Sequence, residues 1–367
     1  MNLVCEGLDL CEAVLTVSKA ISNKVANPIL EGIKLVAEDG TLTLTASDTD
    51  LAIEKKIKAD IKIEGETVVP GKFFGEFLKK LTGERIELSL SENNQLKIKY
   101  TDSETTVACF SSLEYPGFQK IDSSEFFALT KKDLKALINK SAFAVALDDS
   151  RPILKGVLLE VEAKEIRAVA LDGYRLALIK KTVAHSNISV SVIVPAKSLN
   201  EISRIMDDRD EIVNIYIQKN YLMVDLGETK IITKLLDGDF LNYRQIISNN
   251  YETIITINKE QFEDSLERAA LLSRVGQNNL VKFEIKEKNL QITSNSELGN
   301  IKENVNVVLK GKDLNIAFNA RYFMEALRAN ADEFVKISFN NAANPCIITP
   351  HEGEEFLYLI LPVRMIN

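Results

Sequence analysis

Two aspartates and one histidine are the residues of this sequence whose types and positions could support catalysis. Asp48 and Asp172 each follow an alternating strand pattern, and a pair of carboxylates can transfer protons or bind a metal ion. His351 precedes Glu352, but the only other histidine of the chain is distant in sequence. Aspartates at strand ends are also common turn residues that accept hydrogen bonds from nearby backbone amides. We favour the turn role and keep a metal-dependent enzyme using Asp48, Asp172 and Glu160 as an alternative.

The cysteines and the common sequence motifs offer no second route to catalysis. Four cysteines are scattered along the chain without a Cys-x-x-Cys pair, which argues against a thiolate zinc site and a disulfide scaffold. The sequence lacks the glycine-rich nucleotide-binding fingerprint, the Gly-Lys-Ser/Thr phosphate loop and the Gly-x-Ser-x-Gly nucleophile motif. We therefore expect a protein with no catalytic residues, no metal ion and no cofactor.

Length and charge limit the class of protein. A chain of 367 residues allows two or three domains, and its 45 basic and 53 acidic residues give a net charge of −8. The chain as a whole therefore has no basic surplus of the kind that marks many nucleic-acid-binding proteins. The N-terminus lacks the pattern of a signal peptide, and no apolar stretch approaches the roughly 18 residues of a membrane-spanning helix. These features predict a cytoplasmic protein without a membrane partner.

Internal repetition is the strongest structural signal in the sequence. A short apolar strand, a break residue and an amphipathic helix occur three times, with breaks at Pro70, Pro195 and Asn319 that are 125 and 124 residues apart. Alternating strands that end in a polar turn recur at the same interval, and each repeat also opens with a helix. The six predicted helices are 9–21, 71–81, 131–143, 196–206, 258–273 and 320–330.

Each repeat is predicted to be one domain of the α+β class. Alternating segments such as 86–90 and 213–217 are typical of antiparallel strands with one buried and one solvated face. Two helices per repeat would then cover a sheet, which differs from a parallel βαβ array. Polar residues cluster near 122–125 and 249–252. We therefore predict three domains, residues 1–122, 123–250 and 251–367.

Positive charge is concentrated on the predicted helices. They carry 14 basic and 10 acidic residues, a net charge of +4, whereas the rest of the chain has a net charge of −12. A polyanion could bind at such helices and be repelled elsewhere. Because Lys and Arg are also good helix formers on solvated faces, the pattern alone supports both interpretations equally.

Five stretches resemble the bacterial DNA sliding clamp family, the β subunit of DNA polymerase III, and the resemblance extends over the whole chain. They are RPILKGVLLE at 151–160, AVALDGYRLA at 168–177, VIVP at 192–195, LDGDFLNYR at 236–244 and LPVR at 361–364. The resemblance implies the DNA-clamp fold, in which three copies of one α+β domain form each chain. Two chains then form a head-to-tail, six-domain ring with helices inside, which is a non-catalytic processivity factor that encircles and slides along duplex DNA.

The resemblance also implies a set of partners. They are duplex DNA, contacted independently of sequence, a second copy of the chain, and the catalytic subunit of DNA polymerase III. Further implied partners are the clamp loader, other polymerases and repair proteins. These proteins and the catalytic subunit bind one shared docking pocket, whereas the second copy of the chain binds elsewhere. The implied location is the cytoplasm, at the nucleoid. A structural scaffold without a DNA role is the remaining alternative.

By motif match, the resemblance implies three sets of functional residues. DNA contact falls on Lys24, Arg151 and Lys197, and helix placement adds Lys72, Lys79 and Arg204. The partner-peptide pocket falls on Leu154, Leu171, Gly173, Tyr174, Arg175, Leu176, Leu241, Ile246, Asn319, Tyr322, Ala343, Pro345, Leu359, Leu361, Pro362, Val363 and Arg364. The dimer interface falls on Val107 and Cys109 of one chain and Leu271 and Leu272 of the other.

The expected pocket combines apolar anchors with a few hydrogen-bond donors, such as Arg175 and Asn319. We expect Arg175 to offer its donors to a carbonyl or carboxylate of the peptide. Single leucines such as Leu176 have an equal claim to be ordinary core residues. The sequence departs from the family pattern at Leu241, where proline is frequent, and at Gln245, where a basic residue is frequent. Preference among partner motifs is expected to differ accordingly.

Overall fold

Six helices and twenty-six strands make up the described part of the chain in the computed structural model, which comprises residues 1–21, 27–81, 83–248, 250–273 and 279–364. The helices are α1 (Gly7–Val17), α2 (Gly71–Leu78), α3 (Lys131–Ser141), α4 (Ala196–Ile205), α5 (Lys259–Ser273) and α6 (Ala320–Arg328). The chain forms two compact units. The first unit contains residues 1–131 and 201–235, and the second unit contains residues 132–200 and 236–367.

The strands follow the repeating order that the sequence predicts. The first thirteen are β1 (Asn2–Glu6), β2 (Gly32–Glu38), β3 (Thr41–Ser47), β4 (Leu51–Lys58), β5 (Asp60–Ile63), β6 (Gly65–Pro70), β7 (Arg85–Leu90), β8 (Gln95–Tyr100), β9 (Ser103–Ala108), β10 (Phe126–Thr130), β11 (Gly156–Glu162), β12 (Glu165–Leu171) and β13 (Arg175–Thr182). The others are β14 (His185–Ser186), β15 (Val190–Pro195), β16 (Ile212–Gln218), β17 (Tyr221–Asp225), β18 (Thr229–Lys234), β19 (Thr253–Asn258), β20 (Leu280–Lys286), β21 (Asn289–Ser296), β22 (Gly299–Gly311), β23 (Leu314–Asn319), β24 (Phe334–Phe339), β25 (Cys346–Pro350) and β26 (Phe356–Ile360).

Two antiparallel sheets form the first unit. One has the strand order β5-β1-β7-β8-β9, and the other contains β10-β16-β17-β18-β4-β3-β2-β6 in that order. Helix α1 packs on β3, β4 and α2 and buries Leu10, Val14 and Val17. Among the described residues β9 has a strand partner only on its β8 side, so its outer edge is open.

One twelve-stranded antiparallel sheet forms the framework of the second unit. Its order is β15-β11-β12-β13-β26-β25-β24-β19-β22-β21-β20-β23, and α5 packs on β20, β21, β22 and α6. Four phenylalanines pack together where these helices meet the sheet. Neighbouring ring centroids lie 4.9–5.8 Å apart among Phe262 of α5, Phe323 of α6, Phe283 of β20 and Phe318 of β23. Each such pair contributes about 0.5–1.5 kcal/mol beyond its buried area. The aromatic cluster therefore fixes the two helices on the sheet.

Strand β22 is the longest strand, with 13 residues. Its first part, 299–306, pairs with β21, and its last part, 307–311, pairs with β19. No strand of the described residues pairs with the opposite edge of 299–306. The second unit therefore also presents an open strand edge.

Helix ends differ from the predicted ones where side chains compete for backbone hydrogen bonds. Helix α1 begins at Gly7, two residues earlier than predicted, and ends at Val17. The Ser18 hydroxyl donates to the Val14 carbonyl at 2.6 Å, and a short 3₁₀ turn follows because such side chains favour helix ends and turns. Helix α2 ends at Leu78, three residues before the predicted end.

These shorter helices correct the predicted charge distribution. Lys19, Lys79 and Lys80 lie just beyond the ends of α1 and α2, and Lys79 is the C-cap of α2. With the observed bounds the helices carry 11 basic and 10 acidic residues. The predicted helical surplus of +4 was therefore too large, and the helices have a net charge of +1.

Both candidate catalytic aspartates act as turn residues. Asp48 Oδ1 accepts a hydrogen bond from the Leu51 amide at 2.9 Å. Asp172 Oδ1 accepts from the amides of Tyr174 at 2.9 Å and Arg175 at 3.0 Å. The predicted turn role is confirmed for both. Within the described ranges, no three His, Cys, Asp or Glu side chains group as metal ligands, and none of the helices there has the length and apolar character needed to cross a membrane.

Candidate functional site

A shallow apolar cleft opens on the second unit beside the turn that joins β12 to β13. Its volume is about 60 Å³. Eight side chains and backbone segments line it, namely Leu171, Gly173, Tyr174, Arg175, Leu176, Ile246, Leu359 and Leu361. All eight belong to the pocket predicted from the sequence, so the fold brings together residues from three distant parts of the chain.

The cleft begins at the tight turn formed by residues 172–174. Gly173 has φ +90°, a conformation that L side chains rarely adopt. A Cβ atom on Gly173 would meet no heavy atom within 4 Å. Glycine is therefore required here by backbone conformation, not by lack of space in the free chain.

Replacing Gly173 by alanine tests this conformational role. We expect Gly173→Ala to lower the free energy of unfolding by about 1 kcal/mol, because alanine is strained at positive φ. The matched control is Gly227→Ala, since Gly227 has φ +85° and equally open surroundings in the first unit. Both variants should lose similar stability in urea unfolding, while only Gly173→Ala should weaken binding of a partner peptide. Equal peptide binding by the two variants would contradict a role for the turn in the cleft.

Arg175 is a buried brace, which corrects the predicted role of its donors. Its Nε donates to Asp172 Oδ2 at 3.0 Å, Nη2 donates to the Phe143 carbonyl at 2.8 Å, and Nη1 pairs with Glu325. The guanidinium carbon also lies 4.8 Å from the Tyr322 ring centroid. Only 5% of Arg175 is exposed. Because all three guanidinium nitrogens already have partners within the chain, Arg175 holds the turn against α6 and does not present a free donor fork to a peptide.

Two tyrosines give the cleft its exposed aromatic wall. The rings of Tyr174 and Tyr322 stack with centroids 6.2 Å apart and an interplanar angle of 20°. Burial, followed by the charge of Asp172, raises the pKa of Tyr322 above its ordinary value. Tyr174 is 62% exposed and is therefore the largest apolar surface that an incoming peptide can contact beside the cleft.

The leucines beneath the cleft are part of the protein core. Leu154, Leu171, Leu176 and Leu359 are each at most 3% exposed and belong to one hydrophobic cluster of the second unit. The core interpretation of these single leucines is therefore confirmed. They form a rigid floor, while Ile246, at 43% exposure, and the Tyr174 ring supply accessible apolar surface.

The C-terminal segment forms the other wall. The Leu361 amide donates to the Tyr174 carbonyl at 2.9 Å, and the Val363 amide donates to the Ala317 carbonyl at 2.8 Å. These two bonds hold residues 361–363 between the turn and β23. Pro362 and Val363 are half-buried, so the segment is a fixed element of the site.

Nine predicted pocket residues are not among the eight that line the cleft directly, although Leu154 lies in the cluster beneath it, Tyr322 stacks on Tyr174, and Pro362 and Val363 extend the wall from Leu361. Asn319 is the N-cap of α6 and accepts a hydrogen bond from the Arg321 amide at 3.0 Å, which differs from its predicted donor role. Ala343 and Pro345 lie in the loop between β24 and β25. The nine are Leu154, Leu241, Asn319, Tyr322, Ala343, Pro345, Pro362, Val363 and Arg364.

The described cations that are predicted to contact DNA lie on or next to α2, α4 and one 3₁₀ turn. Lys72 and Lys197 are exposed in the first turns of α2 and α4. Arg151 is exposed and directly precedes the turn Pro152–Lys155. Lys24, also predicted to contact DNA, lies outside the described residues.

Lys79 and Arg204 are exposed cations with carboxylate neighbours. Lys79 lies 2.9 Å from Glu76, and Arg204 lies 2.6 Å from Glu201. Exposed pairs of this kind contribute at most about 1 kcal/mol, so both cations remain available to a phosphate. Lys197 and Arg204 are seven residues apart on α4, which places them on the same side of the helix.

On helices α5 and α6, every basic residue pairs with a carboxylate. The pairs are Lys259–Glu263, Arg268–Glu303, Arg321–Glu325 and Arg328–Glu263. These two helices carry four basic and five acidic residues. The positive surplus of the helices therefore comes from α3 and α4.

The residues predicted at the dimer interface lie in or just after β9, whose outer edge is open, or at the end of α5. Val107 is in β9 and is 8% exposed. Cys109 follows β9, is half-buried, and has a pKa raised by burial. Leu271 is 62% exposed in the last turn of α5, and Leu272 is half-buried there. Leu271 is the one large apolar side chain of this set that is accessible in the single chain.

Three models of one protein family match consecutive parts of the chain. The N-terminal, central and C-terminal domains of the DNA polymerase III beta subunit match residues 1–119, 128–242 and 244–364. A beta sliding clamp of Bacillus subtilis (strain 168) is 35% identical over 367 residues, which covers 97% of each chain. A beta sliding clamp of Staphylococcus epidermidis is 33% identical over 356 residues, or 94% of each chain.

The chain belongs to the DNA polymerase III beta subunit family, the beta sliding clamps. The crystal structure of the DNA polymerase sliding clamp from Bacillus subtilis matches it with a TM-score of 0.97, 33% identity and full coverage of both chains. The beta subunit from DNA polymerase of Streptococcus pyogenes matches with a TM-score of 0.96 and 31% identity over the full length of both chains. The predicted α+β DNA-clamp fold is therefore confirmed. The function is that of a sliding clamp, the processivity factor of DNA polymerase III.

An aromatic patch of this sliding clamp was missed by reasoning from the sequence. Phe73 and Phe77 stack at 5.8 Å on α2, and Phe77 meets Tyr100 edge-on at 5.5 Å. Phe73 is 48% exposed. A phenylalanine pair four residues apart on a helix carrying exposed lysines was the available signal. It indicates an exposed apolar face beside the strand β8, the neighbour of β9.

Proposed function

We propose that two copies of this sliding clamp close head to tail into a ring around duplex DNA. Each chain is proposed to comprise three clamp domains, residues 1–122, 123–250 and 251–367, which the three consecutive family matches support. The ring tethers the catalytic subunit of DNA polymerase III, the clamp loader, other polymerases and repair proteins. It acts at the nucleoid in the cytoplasm and catalyses no reaction.

The cleft beside residues 172–174 is the observation that carries this proposal. A rigid leucine floor, an exposed Tyr174 ring and the fixed segment 361–363 together form an apolar site with few polar groups, as peptide-docking sites require. Buried apolar anchors usually supply most of the binding energy of such contacts. The cleft is therefore proposed to take the short clamp-binding motifs of protein partners.

A non-catalytic role is supported by the structural contacts of the acidic residues. Asp48 and Asp172 accept backbone hydrogen bonds within their turns. Glu160 accepts from the Tyr243 hydroxyl at 2.6 Å and pairs with Arg244 at 2.7 Å. Each carboxylate proposed for a metal-dependent enzyme thus has a structural contact within the fold, which supports the non-catalytic role.

The open strand edges support closure of the ring. The outer edge of β9 and the free edge of 299–306 each present unpaired backbone groups that another strand can satisfy. The aromatic patch of Phe73, Phe77 and Tyr100 offers apolar surface near one edge, and Leu271 offers it on the other unit. A contact between β9 of one chain and β22 of the next is heterologous, and it closes after two copies by rotation.

Helix spacing gives a hole of suitable size for DNA. The six helices in the described part of each chain give twelve in a ring. Packed helices lie about 8–10 Å apart, so a helix lining measures about 100–120 Å around. The corresponding hole is about 32–38 Å across. Phosphate attraction is independent of sequence, and exposed cations such as Lys72 and Lys197 are proposed to guide the duplex without base contacts.

Retention on circular and linear DNA tests encirclement. After loading, we expect the clamp to remain on a closed circular duplex and to leave the same duplex once it is cut. A scaffold without a DNA role would be retained on neither form. A protein that binds DNA directly would be retained equally on both, and either result would contradict the ring.

Charge reversal tests the hole-lining cations. We expect Lys24→Glu, Arg151→Glu and Lys197→Glu together to weaken DNA retention. The slope of log affinity against log salt concentration should become less steep by about 0.9 for each phosphate that the protein no longer neutralises. The measurement is retention between about 50 and 200 mM salt. The matched control reverses three exposed lysines outside the helices, Lys62, Lys164 and Lys282. An unchanged slope in the first triple variant would contradict this assignment.

A further inference from the structure

A second, larger cavity lies on the same unit as the cleft and is not part of it. Its volume is about 710 Å³, which falls in the range of ligand-binding pockets. We call it the groove. Its floor is the face of the twelve-stranded sheet formed by β12, β13, β26, β25, β24 and β19, and its rim includes Tyr243, Arg244, Ile247 and Tyr251.

The groove continues the floor of the cleft along the same strands. Leu176 pairs with Leu359 under the cleft, and Leu178 pairs with Leu357 in the groove. Residues two apart on a strand share one face of the sheet and lie about 7 Å apart. The two sites are therefore adjacent parts of one strip of sheet surface.

One short segment separates the two openings. Residues 243–247 pack on the hydrophobic cluster that includes the strip, with Tyr243 buried in it and Ile247 packed against it. Ile246 faces the cleft, whereas Ile247 lines the groove. The Tyr243 hydroxyl bonds Glu160 at 2.6 Å, and burial together with Glu160 raises the pKa of Tyr243 to about 12. The segment is thus pinned, and a peptide can leave the cleft only by crossing over it or moving away from the strip.

The charge of the groove is mainly positive. Arg167, Lys180, Arg244 and Lys336 line it, with Glu354 as the single acidic lining residue. Arg167 and Arg244 already have carboxylate partners within the chain. Their attraction for a further anion is therefore reduced.

Two lysines keep most of their attraction for an anion. Lys180 pairs only with Glu354, whose side chain is 87% exposed, and such a pair is weak. The Lys336 side chain makes no ion pair or hydrogen bond with any residue that the structure describes, although its backbone pairs with β19 and β25. It lies in the row Leu178–Leu357–Thr349–Lys336 across the sheet. From strand and residue spacings, Lys180 and Lys336 lie about 16 Å apart, the length of about five extended residues.

We propose that the groove is a second docking subsite that binds acidic residues flanking the clamp-binding motif of a partner. The proposal rests on the proposed role of the cleft. An extended segment leaving the cleft would pass over residues 246–247, lay apolar side chains on Leu178 and Leu357, and place carboxylates at Lys180 and Lys336. Partners with acidic flanks would then be favoured over partners with neutral flanks.

Matched peptides test the groove directly. A labelled clamp-binding pentapeptide is prepared with eight aspartates on each side or with eight serines on each side, so that one flank can reach both lysines, and both peptides are titrated against the full chain. Two exposed ion pairs of about 0.2–1 kcal/mol each correspond to a preference of about fivefold for the acidic peptide. We expect this preference to disappear in Lys180→Gln/Lys336→Gln and to persist in Lys180→Arg/Lys336→Arg. The control Lys282→Gln, an exposed lysine of β20, should retain it.

The outcomes separate failure of the groove from failure of the cleft. Equal binding of the two peptides by the wild type would overturn the groove, and so would a preference that survives in the double glutamine variant. Loss of the preference at about 1 M salt, where charges are screened within about 3 Å, would support it. If the serine-flanked peptide does not bind the wild type at all, the cleft itself is wrong and the groove proposal falls with it. Affinity for the serine-flanked peptide should not change in either lysine variant.

Discussion

Ending the chain at Leu361 is expected to weaken binding of a labelled clamp-binding pentapeptide by about a hundredfold. Residues 361–363 form one wall of the cleft and are held by the bond from the Val363 amide to the Ala317 carbonyl. Deleting Pro362 onward removes that bond and the half-buried side chains of Pro362 and Val363. Loss of a central anchor in such a site costs about 2–4 kcal/mol, which accounts for the expected factor.

Controls for this truncation distinguish loss of the wall from loss of the folded dimer. A chain ending at Arg364 retains the wall and should bind the peptide like the full-length protein. The dimer should persist in both shortened chains, since the proposed dimer contacts lie on β9, α2, α5 and β22. Peptide titration and sedimentation are the two measurements. Equal binding by the chains ending at 361 and 364 would show that the wall is not part of the site.

Charged residues in place of Leu271 and Leu272 are expected to convert the dimer into a folded monomer. An aspartate pair at the end of α5 would leave buried charges against the apolar surface of the neighbouring chain, and an unpaired buried charge typically costs about 3–5 kcal/mol. The variant should still bind the pentapeptide but should not be retained on circular DNA. Sedimentation that shows an intact dimer would contradict the assignment.

A second variant keeps this prediction testable if the double change disturbs α5, because Leu272 is half-buried. Phe73→Asp changes an exposed ring on α2, the proposed opposite side of the interface, and should also give a monomer. Leu147→Asp is the matched control, since Leu147 is 79% exposed in the second unit and belongs to neither α5 nor β22. The control should remain a dimer that is retained on circular DNA.

Local patterns in the sequence were sufficient to predict the repeated architecture, whereas the residues of the cleft were implied by the resemblance to the clamp family. The three strand–break–helix units have their breaks at Pro70, Pro195 and Asn319. They depend on short-range conformational preferences of the chain. They appear as β6–α2, β15–α4 and β23–α6. Six of the eight lining residues of the cleft lay within the motifs that resemble the clamp family, and Ile246 and Leu359 each lie two residues beyond such a motif.

The roles of individual side chains were harder to predict, because they depend on distant partners. Arg175 was expected to be a free donor, yet Glu325 and the Phe143 carbonyl use its nitrogens. Leu176 is a core residue at 3% exposure, so Leu176→Ala would create a cavity costing about 2–5 kcal/mol. Peptide titration of Leu176→Ala would therefore report on stability as well as on the cleft.

The groove had no signal in the sequence because no single segment builds it. Lys180 and Lys336 are 156 residues apart in the chain and lie on strands separated in the sheet by β26 and β25. Lys336 alternates with the buried Val335 and Ile337, whereas Lys180 follows a run of buried residues that ends at Ile179, so neither pattern indicates a shared cavity. The cavity arises from strand order, which periodicity does not contain.

The open edges of β9 and of residues 299–306 have a consequence for the newly made chain. Before it dimerises, each molecule has two unpaired strand edges to which another strand can add. It also has the exposed Phe73 ring and the half-buried Phe77 ring. Such edges promote aggregation when they are left unpaired. Assembly and solubility are then coupled through protein concentration, because the contact that closes the ring also removes the surfaces on which polymers would grow. Dilution, or a substitution that blocks pairing, would therefore expose the protein to aggregation as well as to loss of its hold on DNA.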